Sequence, residues 1–486
     1  MSRESKDYST TVRTLVEPMQ PLSRTGGRLL RCGLPFARCF EQEPRGSRWP
    51  ESRPTEGPAG DSLDKRIRPE DIPAPVLELC RALSRHGHRG WVVGGCLRDL
   101  LRGQPAADWD LATDARPEEV QGIFPRVIPT GIQHGTVTVR HRGQSYELTT
   151  LRGEGAYSDG RRPDRVEFVS DIAEDLSRRD FTINALAYDP VDDRLEDPHG
   201  GLRDLSLRTI RAVGEPARRF GEDGLRVLRA ARFAASLEFT LDADTESAIR
   251  PTLDTFRRVS AERVREEWTK AFKARLPSLA FVVMRRTGIL DVTQPALATL
   301  ADEPWQRALT AVDSSPADTV LRLAALLFPL REDAAGVADW LTRYRYANQE
   351  RERVLRLHAH ACPAPEAVRD DADVRRFARQ VGRAFVDEVA AFGALMARVT
   401  RGESSPEAAR AGTLRERLRV LVQPETVLQT RELALGGREL MTELGVPPGP
   451  RVGQLLDTLL DRVLDDPSRN TRENLLATAR ALTVEE

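Results

Sequence analysis

Between Trp91 and Thr113 the chain reads WVVGGCLRDLLRGQPAADWDLAT: an apolar strand, a Gly-Gly turn, a helix start bearing Arg98, then two aspartates one residue apart, Asp108 and Asp110. Residues i and i+2 of a strand share a face, so the two carboxylates converge on one point while Trp109 turns the other way. Carboxylates held that close raise one another's pKa unless a divalent cation neutralises them, and an all-oxygen ligand set suits Mg²⁺. The Gly94-Gly95 pair lets the backbone approach a ligand, and the amides opening the next helix point unpaired N–H groups at an anion. Arg98, one helical turn in, is placed to clamp a phosphate. An isolated Asp-x-Asp is common on solvated strand ends, and a lone Gly-Gly turn says less. Their union in one strand-turn-helix-strand block outlines a metal-dependent phosphoryl-transfer site.

Composition bounds what can surround that block. A chain of 486 residues is expected to hold about two to four domains and a large core. Charged residues make up 30% and the net charge is -1, so a polyanion must bind at local arginine patches rather than in a global field. The positive charge is almost all arginine, which fits bidentate phosphate recognition and equally fits the base composition of the gene. Cys32, Cys39, Cys80, Cys96 and Cys362 are scattered with no C-x-x-C, indicating neither a zinc site nor a disulfide scaffold and fitting a reducing, cytoplasmic setting. No apolar run approaches the length of a membrane span. Residues 1–66 are rich in Arg, Pro, Ser, Gly and Glu, with a short apolar patch at Leu29, Leu30 and Leu34, and are expected to be a disordered extension. A secretory signal would need a longer apolar stretch, and an organelle transit peptide would usually avoid Glu4, Asp7 and Glu17.

Ordered structure is expected from about Pro75, where Val76, Leu77, Leu79 and Leu83 form a helical stripe that stops at Gly87. GWVVGG and DWDLAT read as strands, RPEEVQGIF as a short helix, and GTVTVRHRGQSYELTTLR as a hairpin turning at His141 to Gln144. That mixed order predicts an α/β or α+β head. Tyr146 and Leu148 alternate away from Glu147, which can share the face of the two aspartates as a third carboxylate. RGEGAYSDGRRPDRVEF, residues 152–168, is too polar for a core and reads as a mobile loop. In EDLSRRDFTINALAYD, Leu176, Phe181, Ile183 and Leu186 supply an apolar face and Arg178, Arg179 and Asp180 a polar one. From Glu215 onward the pattern is helical, with Leu225, Leu228, Ala231 and Phe233 as a buried stripe. Ser260 opens a further helix as its cap, but Arg263 stands where a capping box needs an acid or amide.

GGCLRDLLRG with ADWDLAT, then PTGIQHGTVTV, YELTTLR, DLSRRDFTINALAYD, DPHGGLRDL, FGEDGLRVLRAARFAASLEF and VSAERVREE, in that order, resemble the class II tRNA nucleotidyltransferases, the CCA-adding enzymes and their bacterial poly(A) polymerase relatives. LALGGRELMTELGVPPGPRVGQLLDTLLDRVLDDPSRNTRENLL is more weakly similar to the RNA-binding tail of these enzymes. The resemblance implies an α/β (α+β) polymerase-β-like nucleotidyltransferase head followed by all-helical neck, body and tail domains. Expected boundaries are 1–66 for the extension, 67–205 for the head, 206–275 for the neck, 276–400 for the body and 401–486 for the tail. It implies two-metal phosphoryl transfer, in which Asp108 and Asp110 ligate Mg²⁺ with Glu147 as the third catalytic carboxylate and the two ions activate the RNA 3′-hydroxyl and steady the leaving pyrophosphate, and that Gly94, Gly95 and Arg98 form the triphosphate turn. Arg179, Asp180 and Asn184 lie in the motif implied to hold phosphates and ribose, with Asp180 on the 2′-hydroxyl.

Glu222, Asp223 and Arg226 match the family's base-reading motif, and Arg229 and Arg232 continue that face. Cytosine and adenine each offer an amino donor beside a ring-nitrogen acceptor, and guanine and uracil reverse it. An Asp acceptor beside an Arg donor therefore accepts C and A and refuses G and U. Asp223 and Arg226, three apart, are expected on one helix face. The plain alternatives are a surface salt bridge between those two, a solvated helix start at Arg178, Arg179 and Asp180, and solvated Arg229 and Arg232.

The implied activity is template-independent addition or repair of the tRNA 3′ CCA, with the tRNA acceptor end as partner, ATP and CTP as substrates, and no membrane or protein partner. PTGIQHGTVTV is similar to the CCA-adding type, whereas the poly(A) polymerases carry a basic, aromatic signature there. The GEGAYSDGRRPD loop is one that enzymes restricted to C are expected to lack. Addition of A alone, polyadenylation, and a non-catalytic RNA-binding protein on the same fold stay open, the last disfavoured by the intact Asp108, Asp110 and Glu147. The C-terminal half has only His358 and His360 and no His-Asp dipeptide, so the HD phosphohydrolase constellation is missing, with RLAALLFPL in its place. Pro447, Gly449 and Pro450 ahead of RVGQLL suggest a rigid turn into a helix, either a phosphate cradle for tRNA or a plain connection.

Overall fold

The uninterrupted apolar run Trp91-Val92-Val93 forms β1 (Gly90–Val93), every residue of which is buried, in the interior of a seven-stranded sheet. The structure, a computed structural model, describes residues 66–106, 108–153, 167–362 and 368–484. The expected extension up to residue 65 and most of the loop expected at 152–168 lie outside the described residues. Order begins earlier than Pro75, because Ile67 and Ile72 are each 3% exposed and already belong to the core.

α1 (Ala74–Arg85) buries Val76, Leu79, Cys80 and Leu83 as its apolar spacing requires. After β1 come α2 (Gly95–Leu101), β2 (Asp110–Thr113), α3 (Pro117–Ile123), β3 (Val127–Gly131), β4 (Thr136–His141), β5 (Gln144–Thr150), α4 (Ile172–Ser177), β6 (Ala187–Asp189) and β7 (Arg194–Glu196). Spatial order is β3-β4-β5-β2-β1-β6-β7, antiparallel throughout except for the central pair β2 and β5. The β4-β5 hairpin turns on Arg142 and Gly143, both at positive φ, the two-residue loop whose twist matches its strands. Leu176, Phe181, Ile183 and Leu186 are all fully buried, but they lie on a helix, a single 3₁₀ turn and the approach to β6 rather than on one face of one element.

α5 (Gly201–Ser206) and β8 (Thr209–Ile210) lead to α6 (Pro216–Glu222) and α7 (Leu225–Leu237), the latter with Leu225, Leu228, Ala231 and Phe233 buried as expected. The chain is not wholly helical after Glu215. Glu238 takes a left-handed conformation that ends α7, and the reversal lays β9 (Thr240–Leu241) parallel to β8. α8 (Ala243–Ser247) and α9 (Leu253–Phe256) then precede α10 (Ala261–Phe272), and every later described element is helical. Trp268 of α10 packs its ring 5.1 Å from Phe281 and 5.2 Å from Trp340, joining three helices. Near the C-terminus, buried Arg375 donates Nε to the carbonyl of Leu464 (2.7 Å) and Nη2 to that of Asp465 (3.1 Å), capping helix Pro450–Asp465. That helix starts on Pro450 after an exposed turn. His358 is buried and bonded to the carbonyl of Ala324, a packing role. Among the described residues no helix is long and apolar enough to cross a membrane.

Candidate active site

Sheet register gathers the sequence motifs at one place. Val93 pairs with Asp110, so the Gly94-Gly95 turn begins beside the aspartates. β2 and β5 run in the register Leu111 to Leu148, and one residue back Asp110 and Glu147 stand side by side, opposite in face to those buried leucines. Asp108, Asp110 and Glu147 are exposed, while Trp109 packs on the core. The protein packed around Asp110 partly desolvates its carboxylate despite its exposed edge and raises its pKa, and Glu147 raises it further; Arg179 pulls it down, and Asp108 adds a smaller push upward. Carboxylates that disfavour one another's charge are stabilised by a cation. Among the described residues no three His, Cys, Asp or Glu side chains meet as a ready-made ligand set. Asp108, Asp110 and Glu147 offer only carboxylate oxygens, a donor type that suits a hard divalent cation.

Two guanidinium groups flank the glycine turn. Gly94 has φ 80° and ψ -135°, a conformation open in practice only to glycine, and a Cβ there would lie 3.1 Å from Nη1 of Arg179. A Cβ on Gly95 would lie 3.3 Å from Nη2 of Arg98, which folds back over the start of its own helix. Arg98 donates Nη1 to Oδ1 of Asn184 (2.6 Å) and Nε and Nη2 to Asp99 (3.0 Å each), leaving one N–H on each Nη for another acceptor. Arg179 donates Nη2 to Asp175 (3.2 Å), and its buried Nε has no partner. Gly94→Ala should therefore cost about 1–3 kcal/mol in backbone strain and push Arg179 aside. The expected outcome is a nucleotide KM raised at least several-fold with tRNA KM unchanged in steady-state kinetics; an unchanged nucleotide KM contradicts it.

Asp180 is 9% exposed and saturated. Oδ1 accepts from the Phe181 amide (2.9 Å) and Asn184 Nδ2 (3.2 Å), and Oδ2 from Nε (2.8 Å) and Nη2 (2.6 Å) of Arg229. Its four acceptor positions are thus filled. A 2′-hydroxyl reaching this carboxylate would compete with one of these donors. Asp180 ties Asn184, and through it Arg98, to α7. The solvated readings fail: Arg178 donates to Asp175 (2.5 Å), and Arg232 pairs with buried Glu267 (2.5 Å).

Burial alone would raise the Asp180 pKa, but Arg229 and the Asn184 hydrogen bond outweigh it and hold the carboxyl at about 2. Because the folded pKa lies below the unfolded one near 4, the stabilisation is complete above about pH 4 and is lost as pH falls from there toward 2. Asp180→Asn should destabilise the fold by about 2 kcal/mol at neutral pH, and its Tm deficit should shrink between about pH 4 and pH 2. A deficit independent of pH in thermal melts contradicts this.

Asp223 and Arg226 do not share one helix face. Asp223 is extended (φ -141°) at the end of α6, and Arg226 lies in the first turn of α7. Gly224 between them packs against the α9 backbone, where a Cβ would fall 2.6 Å from the Phe256 amide nitrogen, so the chain breaks and restarts there. Nor do their side chains pair with each other, although the Arg226 amide donates to the Asp223 carbonyl (3.0 Å). Arg263 grips Asp223 in bidentate fashion (Nη2 to Oδ2 2.7 Å, Nη1 to Oδ1 3.2 Å), while Oδ1 also accepts from the Leu225 amide (3.0 Å). Arg226 donates Nη1 to Glu222 (2.6 Å) and the Arg219 carbonyl (2.8 Å), and Nη2 to the Arg178 carbonyl (2.9 Å). One acceptor position on Asp223 Oδ2 and the Nε–H and second Nη2–H of Arg226 stay uncommitted, enough for a two-bond contact with a base edge. The sequence pattern passes over Arg263 and Glu267; the one signal was an arginine where the Ser260 cap called for an acid. Ser260 itself makes no side-chain cap bond.

The chain matches the family model for the poly A polymerase head domain over residues 90–211 and that for tRNA nucleotidyltransferase domain 2 over residues 322–479. It is 35% identical over 406 residues to the CCA-adding enzyme of Lactobacillus delbrueckii subsp. bulgaricus, covering 84% of this chain and 97% of that one. The chain belongs to the CCA-adding enzymes. The family member from Geobacillus stearothermophilus is 34% identical over 426 residues, covering 83% and 95% of the two chains. A crystal structure of the Bacillus stearothermophilus CCA-adding enzyme with CTP superposes with a TM-score of 0.68 at 30% identity, over 85% of this chain and 99% of that one. The Thermotoga maritima CCA-adding enzyme, solved with tRNA-CCA, shares the fold at 20% identity and TM-score 0.57, over 87% and 97%. The mixed-sheet head and helical remainder are thus the architecture of CCA-adding enzymes, a family that generally uses a divalent metal.

Proposed function

We propose that Asp108, Asp110 and Glu147 carry the chemistry by which this CCA-adding enzyme builds or repairs the 3′-terminal CCA of tRNA from CTP and ATP. The supporting observation is the register that sets Asp110 beside Glu147 at the glycine turn, with Asp108 two residues before Asp110 and with Arg98 and Arg179 flanking the turn. Arg98, Arg179 and the amides of the turn hold the triphosphate, so its α-phosphorus faces the carboxylates. Asp108 and Asp110, with Glu147 beside Asp110, would hold Mg²⁺, which when bound supplies charge stabilisation to the attacking and leaving oxygens of an in-line displacement. The tRNA 3′-hydroxyl forms the new P–O bond and pyrophosphate departs. Asp223 accepts from the exocyclic amino group of C or A, and Arg226 donates to the neighbouring ring nitrogen.

We assign residues 67–205 to the head, 206–275 to the neck, 276–400 to the body and 401–486 to the tail, with the tRNA acceptor half gripped by the helical parts. A cytoplasmic setting is supported by Cys80, Cys96 and Cys362 being free thiols. The test offers the full chain and Mg²⁺ a tRNA lacking CCA, a tRNA ending in CC, and an unrelated RNA, with CTP and ATP singly and together. CCA on the first and A on the second are expected. A added only to the CC end, or long A tails on the unrelated RNA, would replace this reading with A addition or polyadenylation; no incorporation would leave an RNA-binding protein.

A further inference from the structure

One buried ring in the neck touches three of the arginines around the site. Phe233 on α7 is 5% exposed, and the guanidinium carbons of Arg98, Arg229 and Arg232 lie 5.4, 5.4 and 3.8 Å from its centroid. Phe181 meets it edge-on at 5.6 Å and 83°, fixing the ring's orientation. One of the cations arrives from another element, and the other two stand on α7 with the ring. Arg98 comes from the glycine turn on α2, Arg229 holds the saturated Asp180, and Arg232 holds Glu267 of α10. Each is already hydrogen-bonded at its edge, so the ring supplies what those bonds do not: a negative face near three like charges that would otherwise repel one another at close quarters. Phe233 also lies seven residues after Arg226, two turns along the same face of α7.

We propose that Phe233 is a positioning residue for nucleotide binding: its ring holds the Arg98 guanidinium over the glycine turn and couples that grip on the triphosphate to the helix whose first turn bears Arg226. The inference rests on Arg98 being a triphosphate ligand, as proposed above. Leucine would keep an apolar side chain at the position but has no π face, whereas tyrosine keeps the face. A defect that follows the face rather than packing separates positioning from simple stability.

The experiment measures binding of CTP and of CMP to wild type, Phe233→Leu and Phe233→Tyr full-length protein with Mg²⁺ by calorimetry, with Tm recorded for each and incorporation assayed for the wild type. Phe233→Leu should weaken CTP roughly tenfold, the scale of a desolvated cation–π contact. Its effect on CMP, which lacks the β- and γ-phosphates, should be within about twofold. Phe233→Tyr should bind CTP like wild type. Unchanged CTP affinity in Phe233→Leu, equal losses for CTP and CMP, or a Phe233→Tyr variant as weak as Phe233→Leu would each overturn the proposal. Absence of incorporation by wild type would sink the functional reading instead, without altering what the affinities say about Phe233.

Discussion

Asp110→Asn loses nucleotide incorporation by roughly a thousandfold or more, while tRNA affinity stays at the wild-type level. The size follows from removing the central carboxylate of the cluster, which has Glu147 beside it on β5 and Asp108 two residues before it. The same variant should be at least as thermally stable as wild type. Partial desolvation and the neighbouring carboxylates disfavour the Asp110 charge, with Arg179 as the counterweight, so a neutral amide relieves a conflict that the fold otherwise tolerates. Single-turnover incorporation, tRNA binding and a thermal melt read the three quantities independently. An active Asp110→Asn enzyme, or one whose inactivity tracks a lowered Tm, contradicts the account.

Asp223→Ala relaxes base choice, with discrimination of CTP and ATP against UTP and GTP falling roughly a hundredfold. The carboxylate is oriented by two N–H groups of Arg263, so Arg263→Lys, which cannot form that fork, should show a milder loss of the same discrimination. Loss of turnover with discrimination intact in both variants would remove the base-reading role. Competition assays with all four nucleotides on a tRNA lacking CCA measure this directly.

What was legible in the sequence was local. β1 and the hairpin of β4 and β5 announce themselves by apolar runs and alternation, and Glu147 was placed with the aspartates from alternation alone. β6 and β7 are three residues each, too short for any period to register, and β3 is an edge strand with three exposed residues among five. The glycine turn, the carboxylates and the arginines could all be named. Several of their partners could not, because they lie far along the chain: Asp180 meets Arg229 across 49 residues, Asp223 meets Arg263 across 40, and Arg232 meets Glu267 across 35. No periodicity reports such pairs. One error had the same origin, since Asp223 and Arg226 are three apart as on a helix face, yet a glycine pressed on a distant backbone separates them.

On this proposal nucleotide, metal and carboxylates meet where β1 ends and β2 begins, beside the glycine turn. The most direct measurement is a crystal of the full chain grown with CTP and Mn²⁺ in place of Mg²⁺, with anomalous scattering used to locate the metal. The account predicts an anomalous peak shared by Asp108 and Asp110, with the triphosphate lying on the Gly94-Gly95 turn between Arg98 and Arg179 and the cytosine edge on Asp223 and Arg226. A metal and triphosphate bound elsewhere, or a nucleotide seated on the turn with no metal at the two aspartates, would contradict it.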